Sequence, residues 1–444
     1  MGRKSKKQRL QIIHSNCAGI DIGSREHWVA VNPDKDKEPV RCFSSFTDSL
    51  NNMADWLESL GVEIVAMEAT GVYWIPLFEL LDRRGFEVQL VNSRSTRQVT
   101  GRKSDVLDCQ WIWQLMSHGL LKGAFRPADA ICCLRTIVRQ HASKVQEQSR
   151  CVQHMQKALT QMNIQLDNVV SNLMGKTGMA ILRNIVAGER DPHKLSTLRD
   201  KRLHADEETV ARSLYGNWRE EHLFSLTQAL EHYDFLTQQI QSCNQLIEQQ
   251  LNALPQLADN PPKPSKALRN PLRTTAQQKA LHQGLYGVMG VDLTAIPTIG
   301  IETVLVLASE VGEDLSRFPS EANFCSWLSL APPTCISGGK QLNGKAHRVF
   351  NRAGQALRQA ACNARNSNSF IGASHRARLA RMDKASAVKA TAHQLARLIY
   401  AMLTKGQPYV EKGIETFEAR TQDRQMKALQ RKAHKLGFEL VEAA

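Results

Sequence analysis

Residues 17–31 read CAGIDIGSREHWVAV: an apolar strand, a glycine turn and a second strand that Asn32-Pro33 brings to an end. Side chains alternate between the two faces of a strand, so Ile20 and Ile22 point one way and Asp21 the other. An acid set into an apolar strand is costly unless it is paired or bound to a metal ion. Outward from there, residues 40–46 form a short third strand. Residues 49–60 form a helix whose Leu50, Met53, Trp56 and Leu57 recur at helical spacing. A buried strand, EIVAM at 63–67, is closed by Glu68; residues 74–84 form a helix capped by Gly85, and 87–91 a further strand.

Three strands followed by helix, strand, helix and strand is the element order of an RNase H-like (RuvC-like) α/β domain, expected over 17–126 behind a basic arm at 1–16. Adjacent strands of such a sheet bring Asp21 close to Glu68, which ends the fourth strand in AMEATG. Asp105 and Asp108, in RKSDVLDCQWIWQL, are spaced i, i+3 and share one helix face. Trp111 and Leu115 extend near that stripe and turn the face inward. For either acid alone, a helix cap at Asp105 or a surface role for Asp108 is explanation enough; for the set of four it is not. Four convergent carboxylates repel one another unless cations lie between them. Two Mg²⁺ ions about 3.5–4 Å apart are the common solution, one activating a nucleophile and one stabilising the leaving oxygen of a phosphodiester. Arg102 and Lys103, just ahead of the Asp pair, are placed to hold a phosphate.

GIDIGS has a rival explanation, because actin-like ATPases and sugar kinases also open on a DIG[S/T] loop. That fold needs a second glycine-rich phosphate loop, and the sequence contains none. Gly175-Lys176-Thr177 resembles a P-loop, but the first glycine of GxxxxGK[ST] falls on Val170.

With 444 residues, the chain is long enough for two or three domains. No apolar run approaches the roughly 20 residues of a membrane span, and the basic start MGRKSKKQRLQIIHSN lacks the apolar core of a signal peptide. A cytoplasmic protein is expected. Ten cysteines lie scattered without CxxC spacing, which points to reduced thiols rather than zinc or disulfides. The net charge of +14 implies an anionic partner. Between residues 331 and 400 twelve Lys/Arg face a single acid, Asp383, and smaller basic clusters lie at 3–9 and 94–103. Separate basic segments are the footprint of a polyanion bound along an extended path.

Beyond residue 126 the pattern turns helical, with a region at 127–286, a C-terminal unit at 287–410 and a helical tail at 411–444. Leu226, Leu230, Tyr233, Thr237, Ile240, Asn244, Ile247, Leu251 and Leu254 trace a heptad seam. It suits either a coiled coil between chains, with Thr237 and Asn244 setting register, or a helical hairpin within one chain. Five prolines in 255–271 mark a linker, and Asp191-Pro192-His193 starts a separate excursion. IPTIG at 296–300 resembles the turn of a helix-hairpin-helix, or else a plain helix start capped by Thr298. In the segment LSLAPPTCISGGKQLNGKAHRVFNRAGQALRQ, Ser337 precedes Gly338-Gly339 and is surrounded by Lys340, Lys345 and His347. Arg348, Arg352, Gln355 and Gln359 follow on one helix face. Such a serine either caps a turn or attacks a phosphate.

Taken together, GIDIG, MEATG, KSDxxD and the SGGK segment resemble the DEDD transposases of insertion sequences, the IS110 family, over nearly the whole chain. Two departures are Ser329, where a glycine is common, and a long central helical region. The resemblance implies a prokaryotic, nucleoid-associated DNA recombinase that inserts and excises a mobile element. It implies that Asp21, Glu68, Asp105 and Asp108 bind Mg²⁺, and that Ser337 attacks the scissile phosphate to form a covalent phosphoserine. Lys340, Arg348 and Arg352 would neutralise charge there, with Lys345 in the same nucleic-acid-binding set. It further implies a bridge RNA that pairs with donor and target DNA, and a homo-oligomer arranged as a dimer of dimers. Two other functions fit the residues less fully: a RuvC-like junction-resolving nuclease that hydrolyses with water, and a non-catalytic nucleic-acid-binding protein.

Overall fold

A computed structural model describes residues 11–92, 96, 104–263, 273–332, 334–338, 340–343, 351–406 and single positions from 408 to 438. Most of the arm at 1–16, together with Arg102, Lys103, Lys345 and Arg348, lies outside the described residues, as does much of the tail. The chain divides into two compact units, with the boundary between Arg126 and Pro127.

Among its described residues the first unit holds five strands: β1 (Cys17–Ile22), β2 (Glu26–Ala30), β3 (Val40–Ser44), β4 (Ile64–Glu68) and β5 (Glu87–Val91). Its helices are α1 (Thr47–Ser59), α2 (Trp74–Arg83) and α3 (Asp105–Ser117). They form one mixed sheet in the order β3-β2-β1-β4-β5. The first three strands run antiparallel, and β1, β4 and β5 run parallel. Strand β3 stops at Ser44, two residues earlier than the sequence pattern indicates, because α1 already starts at Thr47. Gly85 follows α2 at φ +89, the left-handed conformation that ends helices.

Alternation along β1 and β4 separates two cores. Ala18, Ile20 and Ile22 join Val65 and Met67 in one, with Leu50, Met53 and Leu57 of α1 and Leu77 and Leu81 of α2. Cys17, Ala66 and Val91 face the other, with Ile112 and Met116 of α3. The sheet is therefore sandwiched, and each fully buried Leu or Ile contributes about 1.5–3 kcal/mol. Gly19 shares the α3 face. A Cβ built there overlaps the backbone nitrogen of Trp113 and lies 2.6 Å from the carbonyl oxygen of Cys109. The helix backbone lies directly on the strand backbone, which only glycine permits.

Among its described residues the second unit is helical apart from one hairpin. Its first long elements are α4 (Asp129–Gln161) and α8 (Glu220–Ala253). Between them come α5 (Lys176–Val186), α6 (Pro192–Ser196) and α7 (Glu207–Ser213). After α8 follow α9 (Thr275–Met289), α10 (Ile301–Glu310), α11 (Glu321–Trp327), β6 (Thr334–Ser337) and β7 (Lys340–Asn343). The last are α12 (Arg352–Cys362), α13 (Phe370–Leu379) and α14 (Lys384–Lys405). The heptad seam has its partner in the same chain. Leu226, Leu230, Ile240, Ile247 and Leu251 are buried, Gln148 Nε2 donates to Thr237 Oγ1 at 2.8 Å, and His141 lies close to Asn244. The two polar pairs lie one heptad apart in opposite directions, so α4 and α8 form an antiparallel hairpin whose register these polar residues fix. Asp191 caps α6 and Pro192 occupies its first turn, beginning the expected excursion. Its Leu195 packs with Ile181, Val210 and Leu214 against α4 and α8.

Thr298 does not cap α10. Gly300 holds the cap position without a side-chain hydrogen bond, and Thr298 is itself left-handed at φ +73. Glu310, at the end of α10, accepts two hydrogen bonds from Arg139 of α4 at 2.8 and 2.7 Å, which locks the two helices together. The nine cysteines whose side chains are described are all free. Among the described residues no helix is long and apolar enough to cross a membrane.

The contact at Gly19 makes a prediction about the fold. Gly19→Val forces α3 off β1, an overpacking of backbone against backbone that costs about 3 kcal/mol or more. A lowered urea midpoint of the first unit is expected, and an unchanged midpoint would contradict the contact.

Candidate active site

The sheet register decides where the acids go. Strands β1 and β4 pair in parallel through Gly19–Ala66 and Ile20–Met67. Continued by one residue, that register sets Asp21 beside Glu68. By alternation both lie on the face that α3 covers, at the carboxyl ends of two parallel strands, where open α/β sheets bind their ligands. Asp105 is the first residue of α3, and Asp108 follows one turn later. Ser104 caps the helix by accepting from Leu107 N at 3.3 Å. The Asp pair thus continues, at the helix start, the face that α3 lays on β1.

One detail of α3 differs from the sequence pattern. Its buried stripe is Cys109, Ile112 and Met116, while Trp111 and Leu115 are only half-buried. The close approach at Gly19 rotates the helix so that its backbone near Cys109 and Trp113 meets the strand. Asp108 is half-buried at the edge of this contact and Asp105 is exposed.

Electrostatics ties the four together. Burial pushes the Asp21 carboxyl up to about 6, with further rises from the negative charges of Asp105, Asp108 and Glu68. The charges of all three other acids therefore act on Asp21. Glu68 is steered from the β5–α3 connection, where Thr96 Oγ1 donates to its Oε2 at 2.9 Å. Even so, among the described residues no three His, Cys, Asp or Glu side chains are gathered tightly enough to hold a metal ion. The donor set itself fits a hard divalent cation, being all carboxylate oxygen. The adjacent Cys109 is not a competing soft ligand, since burial pushes its thiol up to about 12.

The second candidate set lies in the other unit. Ser337 ends β6 and pairs with Lys340 at the start of β7, so the two flank a two-residue turn with Gly338 at φ +56. The SGGK segment is thus the tip of a β-hairpin. Arg352, Gln355 and Gln359 are exposed on α12 while Ala353, Leu357 and Ala360 are buried, which places the three polar residues on one outer face. Not all the basic residues of 331–400 are turned outward for a ligand. Arg376 donates to the carbonyl oxygens of Arg365 and Ser367, Arg378 holds Thr391 and Gln394, and Arg397 is bonded to Glu321.

Two positioning residues escape a reading of the sequence alone. Thr96 sits in the polar stretch NSRSTRQVTGRK, with no periodicity to mark it. Gly19 carries a usable signal, a glycine two residues before an acid and hence on the same strand face.

Comparison with known families gives the class of this protein, a transposase. A DEDD transposase model of the IS110 type matches residues 18–164, and a model for the transposase IS116/IS110/IS902 family matches residues 292–379. The chain belongs to the IS110 family of transposases, DNA-cleaving and recombining enzymes of insertion sequences. No curated protein matches it. The first match spans all four acids, and the second spans Ser337.

Thr96→Val keeps the shape and removes the hydroxyl. On the proposal that Glu68 holds a divalent ion, the expected result is a roughly tenfold to hundredfold loss of divalent-ion affinity, the usual scale for a residue that orients a metal ligand, with the thermal midpoint nearly unchanged. Isothermal titration with Mn²⁺ measures the former and calorimetry the latter.

Proposed function

We propose that the first unit is an RNase H-like (RuvC-like) catalytic domain in which Asp21, Glu68, Asp105 and Asp108 hold two Mg²⁺ ions, and that Ser337 is the nucleophile of strand cleavage. The observation that carries this reading is the convergence of three negative charges on a half-buried Asp21. The strand order β3-β2-β1-β4-β5 supports the RNase H-like assignment. When bound, the ions supply Lewis-acid polarisation of the scissile phosphate and offset its negative charge.

The chain's own residues have these tasks. The acids fix the position of the site, Thr96 orients Glu68, and the glycine turn after Ser337 leaves room for a phosphate to approach. In the proposed step the Ser337 oxygen bonds to phosphorus and the bridging bond to one deoxyribose breaks. The serine proton passes to solvent, and the departing sugar oxygen takes one up. A phosphoserine and a free sugar hydroxyl result, and attack by a hydroxyl of another strand reverses the step and reseals the DNA. The phosphodiester energy is retained in the serine link, which suits a sequence with no nucleotide-binding loop. Lys340, Lys345, Arg348 and Arg352 offset phosphate charge around the serine, and Arg102 and Lys103 do so beside the acids. Likeness to the IS110 family supports guidance by a bridge RNA and assembly as a dimer of dimers. Target choice then rests on base pairing rather than on side chains.

Element ends can be read from the DNA flanking the gene and used as substrate. With Mg²⁺, a protein–DNA adduct that survives denaturing electrophoresis is expected, absent from Ser337→Ala and on addition of EDTA. Asp21→Asn should lower cleavage by about 10²–10³-fold while DNA binding is largely kept. Cleavage that persists in Ser337→Ala would instead make this a nuclease using water.

A further inference from the structure

Immediately after Glu68 the chain runs ATGVYWIP through residues 69–76, without a single charged group. In a protein of net charge +14 this is an unusual surface. Val72 is 67% exposed, Tyr73 48% and Ile75 36%. The segment is nonetheless well ordered by its own bonds. Ala69 N donates to Val91 O at 3.1 Å, Thr70 N to Glu68 O at 2.9 Å, and Tyr73 N to Thr70 O at 3.3 Å. Trp74, half-buried edge-on against Phe78 with ring centroids 5.7 Å apart, donates from Nε1 to Gly71 O at 3.2 Å. Trp74 is therefore the anchor. Among the described residues the Tyr73 side chain makes no hydrogen bond, ion pair or ring contact. An aromatic ring and a β-branched side chain are held out to solvent within five residues of Glu68, with no part in the hydrogen bonds that hold the loop.

We propose that this loop is a nucleobase platform, on which Tyr73 stacks against, and Val72 wedges beside, the DNA base flanking the scissile phosphate. The inference rests on the proposal that the four acids act on a DNA phosphodiester. A phosphate at Asp21 and Glu68 brings its attached nucleosides with it by covalent connection, and the surface that begins one residue after Glu68 is the apolar, uncharged one. Stacking on an aromatic side chain tolerates any base, because each has a π-face. Apolar side chains inserted beside a base step part the stack. Strand exchange needs this substitution, since a strand leaving its duplex loses its stacking neighbours at the cut. The charges of the protein serve the DNA backbone, and this loop serves the bases.

The test uses the full chain with element-end DNA carrying 2-aminopurine on either side of the cleavage point. In the wild type and in Tyr73→Phe, binding should change the fluorescence of the flanking probe. Tyr73→Ala should lose that change and cut about tenfold or more slowly, with an unaltered thermal midpoint because the ring is exposed. Failure of Phe to rescue would assign the effect to the hydroxyl and overturn stacking. Tyr73→Ala cutting at the wild-type rate with the same fluorescence, while Asp21→Asn is inactive, would overturn the platform and leave the acids in place. A change in assembly mass without a change in fluorescence would also overturn it, by assigning the loop to a protein contact. If Asp21→Asn is as active as wild type, the carboxylate proposal itself fails.

Discussion

Backbone contact between α3 and β1 at Gly19 is the constraint on which the first unit depends. Helices normally stand off a sheet by the length of their side chains. Here a strand position without a side chain lets the helix settle until its Trp113 nitrogen and Cys109 oxygen lie against the strand. Two consequences follow from that one approach. The rotation of α3 is fixed, burying Cys109, Ile112 and Met116. The start of α3 is brought over the carboxyl end of β1, where its two acids meet the field of Asp21.

The same packing works against electrostatic repulsion. An acid raised to about 6 by burial and three negative neighbours is harder to ionise in the folded chain than in the unfolded one. As pH rises through the window from the ordinary Asp range near 4 to about 6, the unfolded chain releases its proton first, so this group lowers stability towards neutral pH. The apolar contacts of Ala66, Val91, Ile112 and Met116 offset that cost. A divalent cation held among the acids, as proposed, would remove its cause.

Much of this was legible in the sequence because it follows from periods of two and of three to four residues. Alternation put Asp21 opposite Ile20 and Ile22, and an i, i+3 spacing put Asp105 with Asp108; the strands and helices of 17–92 lie within a few residues of where the pattern places them. What stayed hidden depends on contacts between distant segments. The heptad of α8 allowed a partner in another chain or in the same one, and only Gln148 with Thr237 and His141 with Asn244 identify α4. Thr298 looked like a helix cap by residue type, yet its left-handed backbone hands that position to Gly300. Trp111 and Leu115, the large side chains near the Asp stripe, point to an inward face of α3 one residue away from the observed one at Ile112 and Met116. The true determinant was the smallest residue on the facing strand. Thr96 carried no signal at all.

A surface this basic would, by charge alone, bind any polyanion along its length. Charge attracts the sugar–phosphate backbone but gives no hold on the point where two nucleosides must separate. At the first unit's carboxyl edge the character of the surface changes within one residue, from the acid of Glu68 to the uncharged run that begins at Ala69. That change is fixed by structure rather than left to a flexible tip, since β5 and Trp74 both bind the loop. The exposed hydrophobic area at Val72 and Tyr73 would be simple to replace with polar residues, because the fold makes no use of it. Its presence just beyond Glu68 suits the proposed ligand, whose faces are flat and apolar and whose linkage is anionic, the combination that a DNA strand opened at a cleavage point presents.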